Sequence, residues 1–390
     1  MSATDPLRQE LARHFVQRRR KDIADWQAET QDGHGFARRM KTELTYHLSG
    51  EWGQFFDAVQ DYCRELAESA EREGVAGGAG LMWYATLALL RCVASSPAAA
   101  VKALTTRLEG AQPDEDLFTD ERLHDGGTDD LSASDLEPPG QVQDASRLQA
   151  LIASAQRLSG QSGDPKLAAL IQHVGQLLRD GYHPVVFCRY IATAHYVATH
   201  LKAQFANVTI EAITGELTPE ERRERVEDMG EADRRILVAT DCLSEGINLQ
   251  HLFTAVVHYD LAWNPTRHEQ REGRVDRFGQ QADEVRCTML YGQDNPVDGF
   301  VLNVILKKGE AIQKELGVLV PMPEDEARIN QALVKAALMR RSNSSMASPQ
   351  ASFDFGESEQ LLAPLQAQWQ DALEKAKANR TVFAQRRIKP

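Results

Sequence analysis

Nowhere in the 390 residues does the pattern G-x-x-x-x-G-K-[ST] occur. The sequence therefore has no loop of backbone amides to cradle β- and γ-phosphates and no lysine placed to reach them. No strand-like run ends in an Asp-Glu pair of the kind that holds magnesium. The triplet Asp325-Glu326-Ala327 comes after two prolines with no hydrophobic strand leading into it, and reads as first-turn acids of a helix. Cysteine is scarce: Cys63, Cys92, Cys188, Cys242 and Cys287 are widely spaced, with no C-x-x-C. That excludes a disulfide framework and a zinc ribbon, and a reducing cytoplasm is the expected location. The eleven histidines form no H-E-x-x-H or H-x-H set, so no metal site and no Ser/His/Asp triad is expected. The longest apolar run, 81–90, is about half of what a bilayer needs, so no membrane partner is expected. The opening MSATDPLRQE lacks the apolar core of a signal peptide. Positive charge is also in deficit. A net charge of -13 argues against a surface coated for non-specific nucleic-acid binding, although it leaves room for a local basic cleft.

What is present is enough apolar material, 42% of residues, for one sizeable core plus satellites, and a length that implies two or three structural units. Residues 6–29 read as a helix with Leu7, Leu11 and Phe15 on one side and a basic cluster, Arg18-Arg19-Arg20-Lys21, further along. Met40, Thr42, Leu44, Tyr46 and Leu48 alternate with polar residues, a strand pattern. Helices are expected at 51–73, 81–95 and 97–108, the first closed by a glycine-rich stretch. Composition then turns acidic and turn-forming from 109 to 140, a linker and a domain boundary. Beyond it, apolar positions at helical spacing (166–179) lead to the short apolar strand 185–189, a helix through Val197, and strands at 208–213, 235–240, 254–260 and 285–291. Strands buried on both faces and alternating with helices specify an α/β doubly wound parallel sheet. A helix at 297–316 and further helical segments complete the chain.

The stretch 239–280, ATDCLSEGINLQHLFTAVVHYDLAWNPTRHEQREGRVDRFGQ, organises the rest. A strand, a glycine-containing turn and a second strand lead into a helix that opens after Asn264-Pro265. It carries Gln270, Gly273, Arg274 and Arg277, a Q-x-x-G-R-x-x-R array whose spacing puts Gln270, Arg274 and Arg277 on one helical face. Two guanidiniums one turn apart at the end of a parallel strand make a phosphate clamp, because each planar fork keeps its charge and bonds two oxygens at once. Upstream, Thr218, Pro219 and Glu221 spell a capping box. That leaves Thr214, Gly215 and Arg222 as groups at a strand-to-helix turn that could meet phosphates.

Within 239–280, ATDCLSEGINLQ and DLAWNPTRHEQREGRVDRFGQ resemble motifs V and VI of superfamily two helicases, most closely the Swi/Snf-type DNA-translocating ATPases, whose branch is marked by Asp260, Trp263-Asn264-Pro265 and Gly279-Gln280. The resemblance implies a RecA-like C-terminal lobe at 145–316. It also implies that 1–112 corresponds to the tail of a first lobe, with the strand at 40–48 as its last, and a helical protrusion; 113–144 is then a flexible acidic linker and 317–390 a C-terminal helical extension. By the same resemblance Arg274, Arg277 and Gln270 are catalytic, and Gly246, Asn248 and Gly273 lie at the nucleotide. Arg189, Thr214, Gly215, Arg222, Thr240 and Asn264 line a groove for double-stranded DNA. Asp241 departs from the Swi/Snf pattern, which often has a basic residue there, so this side chain is a doubtful DNA contact. ATP and Mg2+ would be held mainly by a separate Walker A-containing lobe, and this polypeptide alone would be inactive. The alternative is a non-catalytic module that binds nucleic acid or a helicase.

Overall fold

The computed structural model of the chain describes residues 37–48, 50–73, 78–109, 145–244, 247–262, 265–300 and 302. Six strands form one sheet: β1 (Arg38–Tyr46), β2 (Pro184–Phe187), β3 (Thr209–Ile213), β4 (Arg235–Ala239), β5 (Ala255–His258) and β6 (Glu284–Gly292). Their order is β1-β6-β5-β2-β4-β3, and every pairing is parallel. The central strands β2 and β5 are buried along their whole length and β4 along nearly all of it, and alternate residues serve opposite faces. Val186, Cys188, Val238 and Val257 pack under α5 (Pro165–Arg179) and α6 (Ile191–Gln204). Val185, Phe187, Leu237 and Val256 pack with Val226 of α7 (Pro219–Asp228) and Val275 of α8 (Pro265–Val275). Two apolar faces on one strand require helices on both sides, and the doubly wound, RecA-like α/β lobe is the result.

Local chemistry sets the element ends. Asp164 caps α5 by accepting from the amides of Lys166 and Leu167, with Pro165 behind it. The capping box of Thr218 and Glu221 opens α7 as the sequence specifies. At the far end of α8, Gly279 adopts a φ of 91°, and the Gln280 side-chain amide donates to the carbonyls of Val275 (2.9 Å) and Phe253 (3.1 Å). The Gly-Gln pair that marks the resemblance thus also closes the helix turn.

Helices α1 (Gly50–Glu73), α2 (Gly78–Ser95), α3 (Pro97–Glu109) and α4 (Ala145–Arg157) share a core of Trp52, Phe56, Leu89, Leu104, Leu148 and Leu151. Val297 of α9 (Pro296–Phe300), from beyond the sheet, joins it. Helix α4 has no counterpart among the elements expected from the sequence. One assignment is corrected: the strand at 40–48 does not close a preceding lobe. As β1 it pairs with β6 along nine register partners, from Arg38↔Glu284 to Tyr46↔Gly292, and forms the edge of this sheet. Alternation identifies a strand but says nothing about its partner, which lies more than two hundred residues away. The expected helix at 6–29, the acidic linker and the C-terminal extension lie outside the described residues. No described helix is long and apolar enough to cross a membrane.

Candidate nucleotide and nucleic-acid site

In an open parallel sheet, the crevice beyond the carboxyl ends of the strands is where ligands bind. Here it is built from the residues just past β2 (Cys188, Arg189), β4 (Thr240, Asp241) and β5 (Tyr259, Asp260), with α8 laid across it. Helix α8 is anchored by Arg271, a residue not singled out from the sequence. Its Nε and Nη2 donate to the two oxygens of Asp241 at 2.5 and 2.7 Å, and Nη1 donates to the Asp260 carbonyl at 3.0 Å. Its guanidinium also lies 5.4 Å from the centre of the Phe187 ring. Arg267 reaches the same carboxylate at 3.5 Å. Burial alone would raise the pKa of Asp241, but the charge and hydrogen bonds of Arg271 outweigh it and hold the carboxyl below its ordinary range. The departure at position 241 therefore has a structural reason: the acid holds the motif helix. A signal for Arg271 existed in the stripe Arg267, Arg271, Val275 at i, i+4, i+8, whose apolar last member marks it as facing the sheet.

Asp260 is the second hub. One oxygen accepts from the buried Lys166 ammonium at 2.8 Å, and the other accepts from the Ser95 hydroxyl and the Arg189 amide, both at 2.9 Å. Lys166 also donates to the Ala94 carbonyl at 3.1 Å and stands 4.4 Å from the Tyr259 ring centre. Burial acts to lower the pKa of Lys166, yet Asp260 and Asp298 raise it above its ordinary value. The C-terminus of α2 is thereby tied to the strand ends. A third cluster lies on the far side of α8, where Arg39 of β1 meets Glu269, Glu272 and Asp276 at 2.7, 2.5 and 2.8 Å. Beneath it, the His258 and His268 rings meet at a tilt of 49° with centres 4.5 Å apart. Burial holds both well below the ordinary imidazole range, so they are neutral near pH 7.

Beside these two anchored stripes of α8, Gln270 is exposed and Arg274 half-buried. Arg277 is exposed, but the helix ends at Val275, so it sits on the next turn instead of on one helical face with the others. There its Nη1 donates to Asn248 at 3.3 Å, bringing the two motif segments together. A Cβ built on Gly273 would meet nothing within 4 Å, so packing among the described residues does not require glycine there. Gly246 and Asn264 lie outside the described residues.

The groove candidates separate. Gly215 is exposed and Arg189 half-buried, with its guanidinium 6.0 Å from the Tyr190 ring centre. Thr240 is 6% exposed at the end of β4. Thr214 is 1% exposed, and its hydroxyl donates to Glu216, whose carboxylate also meets His195 at 2.7 Å. Of the two charged groove candidates, Arg222 is the more deeply buried. It is 5% exposed, and its Nη atoms donate to the carbonyls of Cys242 (3.3 Å) and Gly215 (3.5 Å), bracing two turns. Among the described residues, no three His, Cys, Asp or Glu side chains converge as metal ligands.

Residues 165–279 match the helicase conserved C-terminal domain. The chain is 36% identical over 97 residues to the ATP-dependent RNA helicase eIF4A of Scheffersomyces stipitis, covering 25% of this chain and 24% of that protein. It is 34% identical over 98 residues to the ATP-dependent helicase YqhH of Bacillus subtilis, covering 25% of this chain and 17% of that one. The match thus spans about a quarter or less of the length of these relatives. Among solved structures, the Sulfolobus solfataricus SWI2/SNF2 ATPase core in complex with dsDNA is similar at 15% identity and a TM-score of 0.49, over 78% of this chain and 50% of that one. At that score the likeness decides nothing further.

Proposed function

We propose that this chain supplies the C-terminal half of an ATP-dependent translocase of the Swi/Snf type, acting on double-stranded DNA. In this reading Arg274 and Arg277 complete an ATP site whose triphosphate cradle and Mg2+ ligands belong to a separate Walker A-containing lobe. The observation that carries the reading is the mounting of α8. Arg271 and Arg39 hold it on two sides, Gln270 and Arg274 lie on the helix between those sides, and Arg277 stands exposed just beyond its end. A helix held so firmly suits guanidiniums that must meet a ligand without reorganising.

ATP, when bound between the lobes, supplies the anionic phosphate oxygens that two guanidiniums fit. Arg274 and Arg277 would contact those oxygens as charge spreads over them in the transition state. Asn248 holds Arg277 in place until then. The open space at Gly273 leaves room for close approach of a ligand or lobe. We assign Gly215, Arg189 and Thr240, with Asn264, to a nucleic-acid backbone, which predicts weak, salt-sensitive binding on an acidic protein.

DNA is preferred on the Trp263-Asn264-Pro265 and Gly279-Gln280 segments; the eIF4A relative is named for RNA, which makes RNA the competing substrate. The test is ATP turnover by the chain alone and with a Walker A-containing Swi/Snf-type first lobe, each with duplex DNA, duplex RNA or neither. Stimulated turnover only in the assembly with DNA supports the proposal. Turnover by the chain alone, or stimulation by RNA only, contradicts it.

A further inference from the structure

Three stripes of α8 carry three different chemistries. Arg267 and Arg271 face Asp241, Gln270 and Arg274 lie between the anchors, and Glu269, Glu272 and Asp276 form an acidic stripe at i, i+3 and i+7. The acidic stripe meets one buried guanidinium, Arg39, whose side chain is 11% exposed. Glu272 is 4% and Asp276 0% exposed at the side chain, so neither carboxylate has water to turn to. Lys41, two residues along the same edge strand, adds a 3.8 Å contact to Glu269. Arg39 is far from α8 in sequence and reaches it only because β1 pairs with β6. We propose that Arg39 is a positioning residue for Arg274 and Arg277: by gripping three carboxylates on successive turns, it fixes the rotation of α8 and hence the direction in which the stripe of Gln270 and Arg274 points. This rests on the arginine-finger reading of those two residues. The edge strand β1 then acts as the mechanical stop of the helix.

The grip needs the guanidinium fork, since an ammonium in its place cannot hold three carboxylates in fixed directions. A simple Arg39→Met change leaves two buried carboxylates uncompensated and could unfold the lobe. A second variant, Arg39→Met with Glu272→Gln and Asp276→Asn, removes the grip without stranding charge. In the full chain, amide hydrogen exchange over 265–277 should quicken on the order of tenfold in this triple variant as α8 opens locally, while 209–228 stays as in the parent. In the assembly with a first lobe, kcat should fall on the order of tenfold to a hundredfold with KM for ATP nearly unchanged, as misplacement of a transition-state contact requires. Arg39→Lys should recover part of that loss. In an Arg274→Lys background, the effect of the triple variant on kcat should largely vanish, because Arg39 acts through the same group. Unchanged exchange over 265–277 overturns the hold of Arg39 on α8, whatever happens to turnover. Quickened exchange with unchanged kcat, or full additivity with Arg274→Lys, overturns the positioning role. A parent assembly that turns over no ATP overturns the functional reading underneath.

Discussion

Arg271 and Asp241 meet fork to fork, at 2.5 and 2.7 Å, and so lock the arginine-bearing helix to the end of β4. Arg271 is 3% and Asp241 12% exposed at the side chain, which makes the pair costly to break from one side. Arg271→Met should lower stability by about 3–5 kcal/mol, the usual cost of leaving a buried charge without its partner. The pair also sets an acid limit. Because the folded-state pKa of Asp241 lies below its ordinary value of 3.8, its contribution is present above that value and lost as pH falls through the depressed one. Urea unfolding between pH 5 and about pH 2.5 should show this loss in the parent. In Asp241→Asn the corresponding part of the slope should be missing.

The Lys166–Asp260 pair predicts a different pattern, because here the question is whether the charges or their mutual compensation matter. Lys166→Met alone leaves the Asp260 carboxylate with only a hydroxyl and an amide donor, and should cost about 3–5 kcal/mol in chemical denaturation. Adding Asp260→Asn should recover a substantial share of that loss. A double variant as unstable as the sum of the singles would show that the two side chains do not act as a pair.

Arg222 separates a structural role from a binding one. Because its guanidinium is spent on the carbonyls of Cys242 and Gly215, Arg222→Ala should lower stability by about 1–3 kcal/mol. The slope of duplex-DNA affinity against salt should stay as in the parent. A slope reduced by about one phosphate contact would return Arg222 to the groove.

The doubly wound sheet was legible from residues alone, because strands covered on both faces are apolar throughout and alternate with helices. The capping box was legible for a similar reason: its four residues act on one another locally. The partner of β1 was not legible, since register between distant strands leaves no local mark. Nor was the burial of Arg222, whose charge suggests solvent while its carbonyl partners come from two separate turns. Arg271 and Arg39 were missed because arginines are ordinarily read as surface groups, and the acids that bury them are remote in sequence. Asp241 drew notice as a departure, and the reason for it became visible only with Arg271 beside it.

The most direct test of the central claim is kcat for Arg274→Lys and Arg277→Lys in an assembly with a Walker A-containing lobe. Lysine keeps the positive charge but loses the planar fork that can bond two phosphoryl oxygens. A correctly placed guanidinium stabilises the phosphoryl-transfer transition state far more than the ground state. Each variant should therefore lose on the order of 10³-fold in kcat, with the fold and DNA binding nearly intact. Near-normal kcat in both variants would contradict the account and leave α8 as a structural or binding helix.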